Sequence, residues 1–339
     1  MGSVWDDLEG LVGSPSSSSA KPGVRGAIRP KAGFNPAADA EALENAMKGL
    51  GTKEKILIDV LTQRSNAQRQ LICEAYQEAK GRTLLEDLKS DTDGDFQDLL
   101  VALITPPGAY DCHEVMKAMQ GVGTDSEALI EIFASRSNQQ IKALRDVYLK
   151  ETETQVTLKM RKELSGDFAE ALLILAEGQR DESPTADVQK AKEDAQTLYQ
   201  AGEKKLGTDE SKFIDILCHR SIPQLRQIFV EYKNISGKTL QSSIKGEISG
   251  DLEDLLVAVV KCAKSIPAYF AERLHESMKG GGTDEATVNR IMVSRSEIDL
   301  VDIKAEFKKM YNCSLRSALE SDLSGDHGEC VLAICGGDD

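Results

Sequence analysis

Histidine is scarce in this chain, and so are the arrangements that would put it to work. Only four occur in 339 residues, His113, His219, His275 and His327, and no two stand at ligand spacing, which argues against zinc. The seven cysteines (Cys73, Cys112, Cys218, Cys262, Cys313, Cys330 and Cys335) are odd in number, widely separated and without a CxxC pair. They read as reduced, partly buried thiols of a cytosolic protein. No apolar run approaches the ~18 residues of a membrane span. Trp5 to Val12 is short and acidic, where a secretion signal would be basic and then apolar. Met1-Gly2 opens like a myristoylation motif, but Asp6 stands where that motif has Ser or Thr. Positive charge is in deficit too. The net charge of −15 excludes nucleic-acid phosphate as a partner and counts against anionic membranes as well. A P-loop, a GxGxxG after a strand and a Ser/His/Asp or Cys/His grouping with a spacing logic are all missing, so no enzyme is expected.

What is present is repetition. MKGLGT at 47–52 returns as MQGVGT at 119–124, EKKLGT at 203–208 and MKGGGT at 278–283. With the last glycine of each as zero (Gly51, Gly123, Gly207, Gly282), an arginine follows at +13: Arg64, Arg136, Arg220, Arg295. An aromatic follows at +25 (Tyr76, Tyr148, Tyr232, Phe307) and a carboxylate at +40 (Asp91, Glu163, Glu247, Asp322). Gly94, Gly166, Gly250 and Gly325 come at +43, each followed by aspartate. The zero points are 72, 84 and 75 residues apart, and the longer interval holds a polar stretch from Gly178 to Asp187 broken by Pro184. That stretch reads as a connector dividing the chain into two pairs of repeats. Gly13 to Lys31, rich in Ser, Pro and Gly, is expected to be flexible.

Inside each unit the apolar spacing is helical, as in Ile56-Leu57-Ile58 giving way to Leu71-Ile72, and about five short helices fit. Thr52, Thr124, Thr208 and Thr283 are suited to N-caps, followed by acidic first turns such as Asp209-Glu210. The Ser-Gly-Asp triplets at 165–167, 249–251 and 324–326 announce further helix starts. The +25 aromatics are expected in each unit's core, and the +13 arginines in inter-helix salt bridges.

Helices flanking a glycine turn leave its carbonyls without helical partners. Such carbonyls with one bidentate carboxylate make a hard-cation donor set that suits Ca²⁺ better than octahedral Mg²⁺. A single copy is better explained as a plain helix end with an exposed acid elsewhere. Four copies in one register favour metal. The run Asp91-Thr-Asp-Gly-Asp95 starts like an EF-hand but has glycine fourth rather than sixth and Ala102 at the twelfth position, so the repeat register explains Asp91 better.

These units, [M/E]-[K/Q]-x-x-G-T…R-S…[D/E]-x-x-G-D four times over, resemble the annexin family from about residue 34 to 337, with GTDE, VSRSEIDL and the closing CGGDD close to vertebrate-type members. The resemblance implies an all-α fold of four ~70-residue repeats, five short helices each, arranged as a slightly curved disc. The repeats fall at 34–105, 106–177, 190–261 and 265–337, with a 1–33 tail and a 178–189 connector. It implies reversible, Ca²⁺-dependent binding to anionic, phosphatidylserine-like phospholipid on the cytosolic face of membranes, several ions per chain, in membrane organisation or trafficking. The implied ligands are the carbonyls of Met47, Gly49 and Gly51 with the Asp91 carboxylate, and of Met119, Gly121 and Gly123 with Glu163. The fourth site takes Met278, Gly280 and Gly282 with Asp322. The third departs, since Lys205 replaces a motif glycine, and is assigned Gly202, Lys205 and Gly207 with Glu247.

Three carbonyls and one carboxylate fall short of the 6–8 oxygens calcium takes, so water or lipid phosphate completes the shell. Four ions would move the formal charge from −15 to −7 and concentrate positive charge on one face, which answers the charge objection. Leu50, Val122 and Leu206, each between the last two motif positions, are then placed to enter the headgroup region, whereas Gly281 is not. Asp111, Glu114, Arg136 and Arg290 match family positions lining a hydrophilic channel. Two other functions therefore stand beside membrane binding. One is a calcium-permeable channel, distinguished by single-channel current. The other is inhibition of a phospholipase A2 by covering its substrate, which would vanish in excess lipid. In the tail, Val4, Trp5, Leu8 and Leu11 form a short amphipathic face that either docks on the protein itself or binds a protein partner.

Overall fold

The structure, a computed structural model, describes residues 3–8 and 25–337, and among them every regular element is helical. After a short helix α1 (Val4–Leu8), the first repeat runs α2 (Pro36–Ala46), α3 (Glu54–Thr62), α4 (Asn66–Lys80), α5 (Leu84–Asp91) and α6 (Gly94–Ile104). The same order recurs as α7 to α11 between Pro107 and Ala176, α12 to α16 between Val188 and Lys264, and α17 to α21 between Ile266 and Cys335. Local chemistry explains many of the ends. Ser65 and Gln68, Thr83 and Glu86, and Ser137 and Gln140 form reciprocal capping boxes. Each repeat's fourth and fifth helices meet at a glycine with φ between 61° and 70° (Gly94, Gly166, Gly250, Gly325), a region closed to most side chains.

The loop threonines are not the N-caps their position suggested. Lys53, Asp125, Asp209 and Asp284 hold that place, and the Asp125 and Asp284 side chains accept from the amides three residues on. An adjacent carboxylate caps as well as a hydroxyl does, which releases the threonines for another partner.

The +25 aromatics are buried as expected, and two of their hydroxyls are hydrogen-bonded. Tyr76 donates to Asp87, and Tyr232 donates to Ser243 Oγ at 2.8 Å. The +13 arginines are in salt bridges. Arg64 pairs bidentately with Asp39, Arg136 with Asp111 and Arg220 with Asp194, each acid lying on the repeat's first helix. The fourth repeat carries Phe270 on that helix instead. There Arg295 stacks on the Phe270 ring at 4.9 Å and takes its carboxylate from Asp299, four residues on. Burial raises the Cys73 thiol to about 11 and those of Cys112 and Cys218 to about 12, which suits inert core thiols. All seven cysteines are unpaired with one another.

The repeats do not pair as the connector suggested, first with second and third with fourth. One compact unit consists of Asp111–Tyr269 with α1, uniting the second and third repeats; the other joins the residues up to Tyr110 to those from Phe270 onward, uniting the first and fourth. The connector marks a change in composition but not a break in packing. Asp187 and Gln224 exchange two hydrogen bonds at 2.8 and 2.9 Å. Arg180 is sunk into the unit, donating to the carbonyls of Leu217 and Arg220 at 2.8 Å each.

The unit of first and fourth repeats has an equivalent strap, formed by part of the segment expected to be flexible. Lys31 exchanges two hydrogen bonds with Gln68, which stands at the same offset as Gln224, at 2.9 and 3.0 Å. Arg25 grips Asp302 at 2.6 and 2.9 Å, and Ile28 is buried. The carbonyls of Leu61 and Arg64, equivalent to those capped by Arg180, are here capped by Arg69, whose burial lowers its guanidinium to about 10. Gly26 is required by space. A Cβ there would come 2.6 Å from the Glu297 backbone. Gly26→Ala is therefore expected to lift the strap, costing about 1–3 kcal/mol and exposing Arg25 and Lys31 to trypsin. Wild-type digestion rates at both sites would show that the contact is dispensable.

Trp5 is buried in the other unit, against α16 (Gly250–Lys264). The Lys261 ammonium lies 5.3 Å from its ring centre, and Lys264 Nζ donates to its carbonyl at 3.4 Å. Of the two readings of the tail face, docking on the protein itself is the one the structure displays. Leu11 lies outside the described residues.

Candidate metal centres

Each motif loop is closed by one long-range main-chain bond. The amide two residues past the last glycine donates back to the helix before the loop: Lys53 to Ala46, Asp125 to Ala118, Asp209 to Ala201 and Asp284 to Ser277, at 2.8–2.9 Å. In the third loop that bond spans one residue more. The extra residue accounts for Lys205. Gly49, Gly121 and Gly280 sit at φ 84–98°, while Lys205, at the matching place, has no positive φ. Gly51, Gly123 and Gly207 also lie at φ 84–90°, but Gly282 does not. The fourth loop thus follows a different path through its three consecutive glycines.

The carbonyls of Met47, Gly49 and Gly51 accept no hydrogen bond among the described residues, and the same holds for Met119, Gly121 and Gly123 and for Met278, Gly280 and Gly282. In the third loop Lys205 and Gly207 are equally open, but Gly202 already accepts from the Lys205 amide at 3.0 Å. Exposed carbonyls grouped on a turn whose shape depends on glycine form a hard-oxygen donor set, and this donor set fits Ca²⁺.

The four acids are each the last residue of a helix: Asp91 of α5, Glu163 of α10 (Val156–Glu163), Glu247 of α15 (Leu240–Glu247) and Asp322 of α20 (Leu315–Asp322). A carboxylate there opposes the helix dipole, a cost of about 0.3–1 kcal/mol that a bound cation would reverse. The released threonines bring these ends to the loops. Thr283 donates to the Asp322 carboxylate at 2.6 Å, Thr208 to that of Glu247 at 2.9 Å, and Thr52 to the Asp91 main-chain carbonyl at 3.3 Å. The second repeat lacks this bond among the described residues, and Glu163 is instead paired with Lys159 at 2.8 Å. The tether was missed in the sequence, although its signal was there: a threonine at +1 in every repeat.

Beside these donors stand the most exposed apolar side chains of the described residues. Leu50, Val122 and Leu206 show relative exposures of 108%, 111% and 104%. Of the channel candidates, Asp111 and Arg136 are each other's buried bidentate partners.

The annexin sequence profile matches residues 38–103, 110–175, 193–259 and 269–334, one stretch for each repeat. The chain belongs to the annexin family. Similar relatives include annexin A3 of Bos taurus, 55% identical over 94% of this chain and 98% of that protein. Among solved structures, annexin III superposes with a TM-score of 0.92 at 54% identity, over 95% of this annexin and 100% of that chain. A calcium-bound annexin (Sm)1 gives 0.82 at 36% identity, over 93% and 94%. Membership brings the general property of the family, calcium-dependent binding to phospholipid. No described helix is long and apolar enough to cross a membrane.

Proposed function

We propose that this annexin binds anionic, phosphatidylserine-like membranes reversibly through Ca²⁺ held at its four motif loops, on the cytosolic face, in membrane organisation or trafficking. The observation that carries this reading is the loop itself. In the first three repeats open loop carbonyls flank an apolar side chain in full contact with water, and in the first, third and fourth a threonine ties the loop to a helix end that carries a carboxylate. The ligands are the carbonyls of Met47, Gly49 and Gly51 with Asp91; Met119, Gly121 and Gly123 with Glu163; Gly202, Lys205 and Gly207 with Glu247; and Met278, Gly280 and Gly282 with Asp322. When bound, the ion supplies positive charge that both the protein and a lipid phosphate coordinate. The protein's residues fix where that phosphate sits, because the loops are closed by main-chain bonds and, in the first, third and fourth repeats, tied by threonine to the helix end that carries the acid. Lipid and calcium each strengthen the binding of the other.

Sedimentation with phosphatidylserine vesicles across calcium concentrations tests the reading. Pelleting should rise with calcium and reverse with chelator, and pelleting indifferent to calcium would overturn it. Leu50, Val122 and Leu206 insert among the headgroups. Leu50→Ala together with Leu206→Ala should raise the calcium needed for half-maximal pelleting, since burying each leucine contributes about 1.5–3 kcal/mol. Thermal stability should change little, because exposed side chains add little to folding. A large fall in Tm with unchanged pelleting would place these leucines in the fold rather than at the membrane.

A further inference from the structure

The second site is wired differently from the others. In the third and fourth sites a neutral hydroxyl touches the ligand carboxylate, Thr208 on Glu247 and Thr283 on Asp322. In the second, the Glu163 carboxylate is held by a full positive charge, with Lys159 Nζ 2.8 Å from Oε1. Lys159 stands one helical turn before Glu163 on α10, and no other repeat has a cation there: the equivalent residues are Asp87, Ser243 and Ala318. The pair is open to solvent, the side chains being 41% and 34% exposed, so an incoming ion can reach it.

We propose that Lys159 is a tethered competitor for the second site's cation, so that this site fills at higher calcium than the other three. The inference rests on the reading of Glu163 as a ligand. A calcium ion must displace the ammonium from the carboxylate before taking both oxygens. The displaced ammonium stays on the same helix face, beside a divalent ion. An exposed pair four residues apart is worth only about a twofold change in binding. Repulsion between a divalent ion and an ammonium ~6 Å away in water can raise the effect to about tenfold. Membrane contact by the second repeat, Val122 included, would therefore be added only once the other loops are engaged, giving a response graded over calcium rather than a single step.

The test isolates the second site by combining Asp91→Asn, Glu247→Gln and Asp322→Asn, with circular dichroism to confirm folding. Calcium binding is then measured by equilibrium dialysis with phosphatidylserine vesicles present. In that background Lys159→Met should lower half-saturating calcium by about three- to tenfold, while Lys159→Arg, which keeps the charge, should leave it in place. Adding Glu163→Gln should remove the remaining binding. If Glu163→Gln removes it but Lys159→Met binds calcium as its parent does, the competitor role is overturned and the ligand assignment stands. Binding unaffected by Glu163→Gln would overturn the assignment and the competitor role together.

Discussion

With Asp91, Glu163, Glu247 and Asp322 all changed to their amides, the folded protein should stay in the supernatant with phosphatidylserine vesicles at calcium levels that pellet all of the wild type. Each amide keeps the size of its parent, and those of Glu247 and Asp322 keep an oxygen for the threonine hydroxyl, but each removes the one charged, bidentate ligand of its site. Calcium is left with neutral carbonyls, and ligand charge sets much of its affinity. The effect compounds across sites. Any one amide leaves three attachments, and local rebinding hides most of the loss, so single variants should shift the calcium midpoint by less than about tenfold. Glu163→Gln should shift it least of the four if Lys159 already weakens that site. The fold should survive, because each acid ends a helix and none lies in the core, and neutralising them relieves an unfavourable interaction with the helix dipole. A folded quadruple variant that pellets at the wild-type midpoint would mean that calcium is held elsewhere.

The second large effect is on stability. Asp111→Ala should lower it by about 3–5 kcal/mol, a fall in Tm on the order of 10 °C. The Arg136 side chain is 1% exposed and that of Asp111 8%, so removal of the acid leaves a guanidinium buried without its bidentate partner. Two comparisons give the prediction its edge. Asp194→Ala should cost less, since Arg220 is partly open to water. Asp111→Leu combined with Arg136→Met should recover most of the loss, because a well-packed apolar pair often does as well as a buried ion pair. Thermal denaturation of the three variants decides it. A double variant no more stable than Asp111→Ala would show that the guanidinium does structural work beyond this pair.

Much of the fold was legible because it is written four times. Five helices per repeat, buried aromatics at one offset and paired arginines at another follow from periodicity and from the cost of burying unpaired charge. Register alone pointed to the helix ends that Thr52, Thr208 and Thr283 reach. The errors came where the outcome depends on partners distant in sequence. Thr208 and Asp209 are both good N-caps, and only the position of Glu247, 39 residues on, decides that the threonine turns outward. Both straps have the composition of a linker. What fixes them is a glutamine on a helix far along the chain and a glycine that fits against Glu297. The pairing of repeats is likewise invisible to a scan for breaks, since the connector's polarity says nothing of what packs on either side. The fourth loop resisted for the opposite reason, as three glycines in a row permit several backbone paths.

The nested pairing also bears on how the molecule is made. Apart from α1, one unit is continuous in the chain, so the middle two repeats can complete their core as soon as both have been synthesised. The other is split, with residues 111–269 lying between its two parts. At ~5–20 residues per second, the first repeat waits on the order of ten to thirty seconds for its partner. During that interval its apolar faces are open to chaperones, and to misassembly with neighbouring nascent chains. A stop codon in the last repeat therefore harms the beginning of the protein as much as its end.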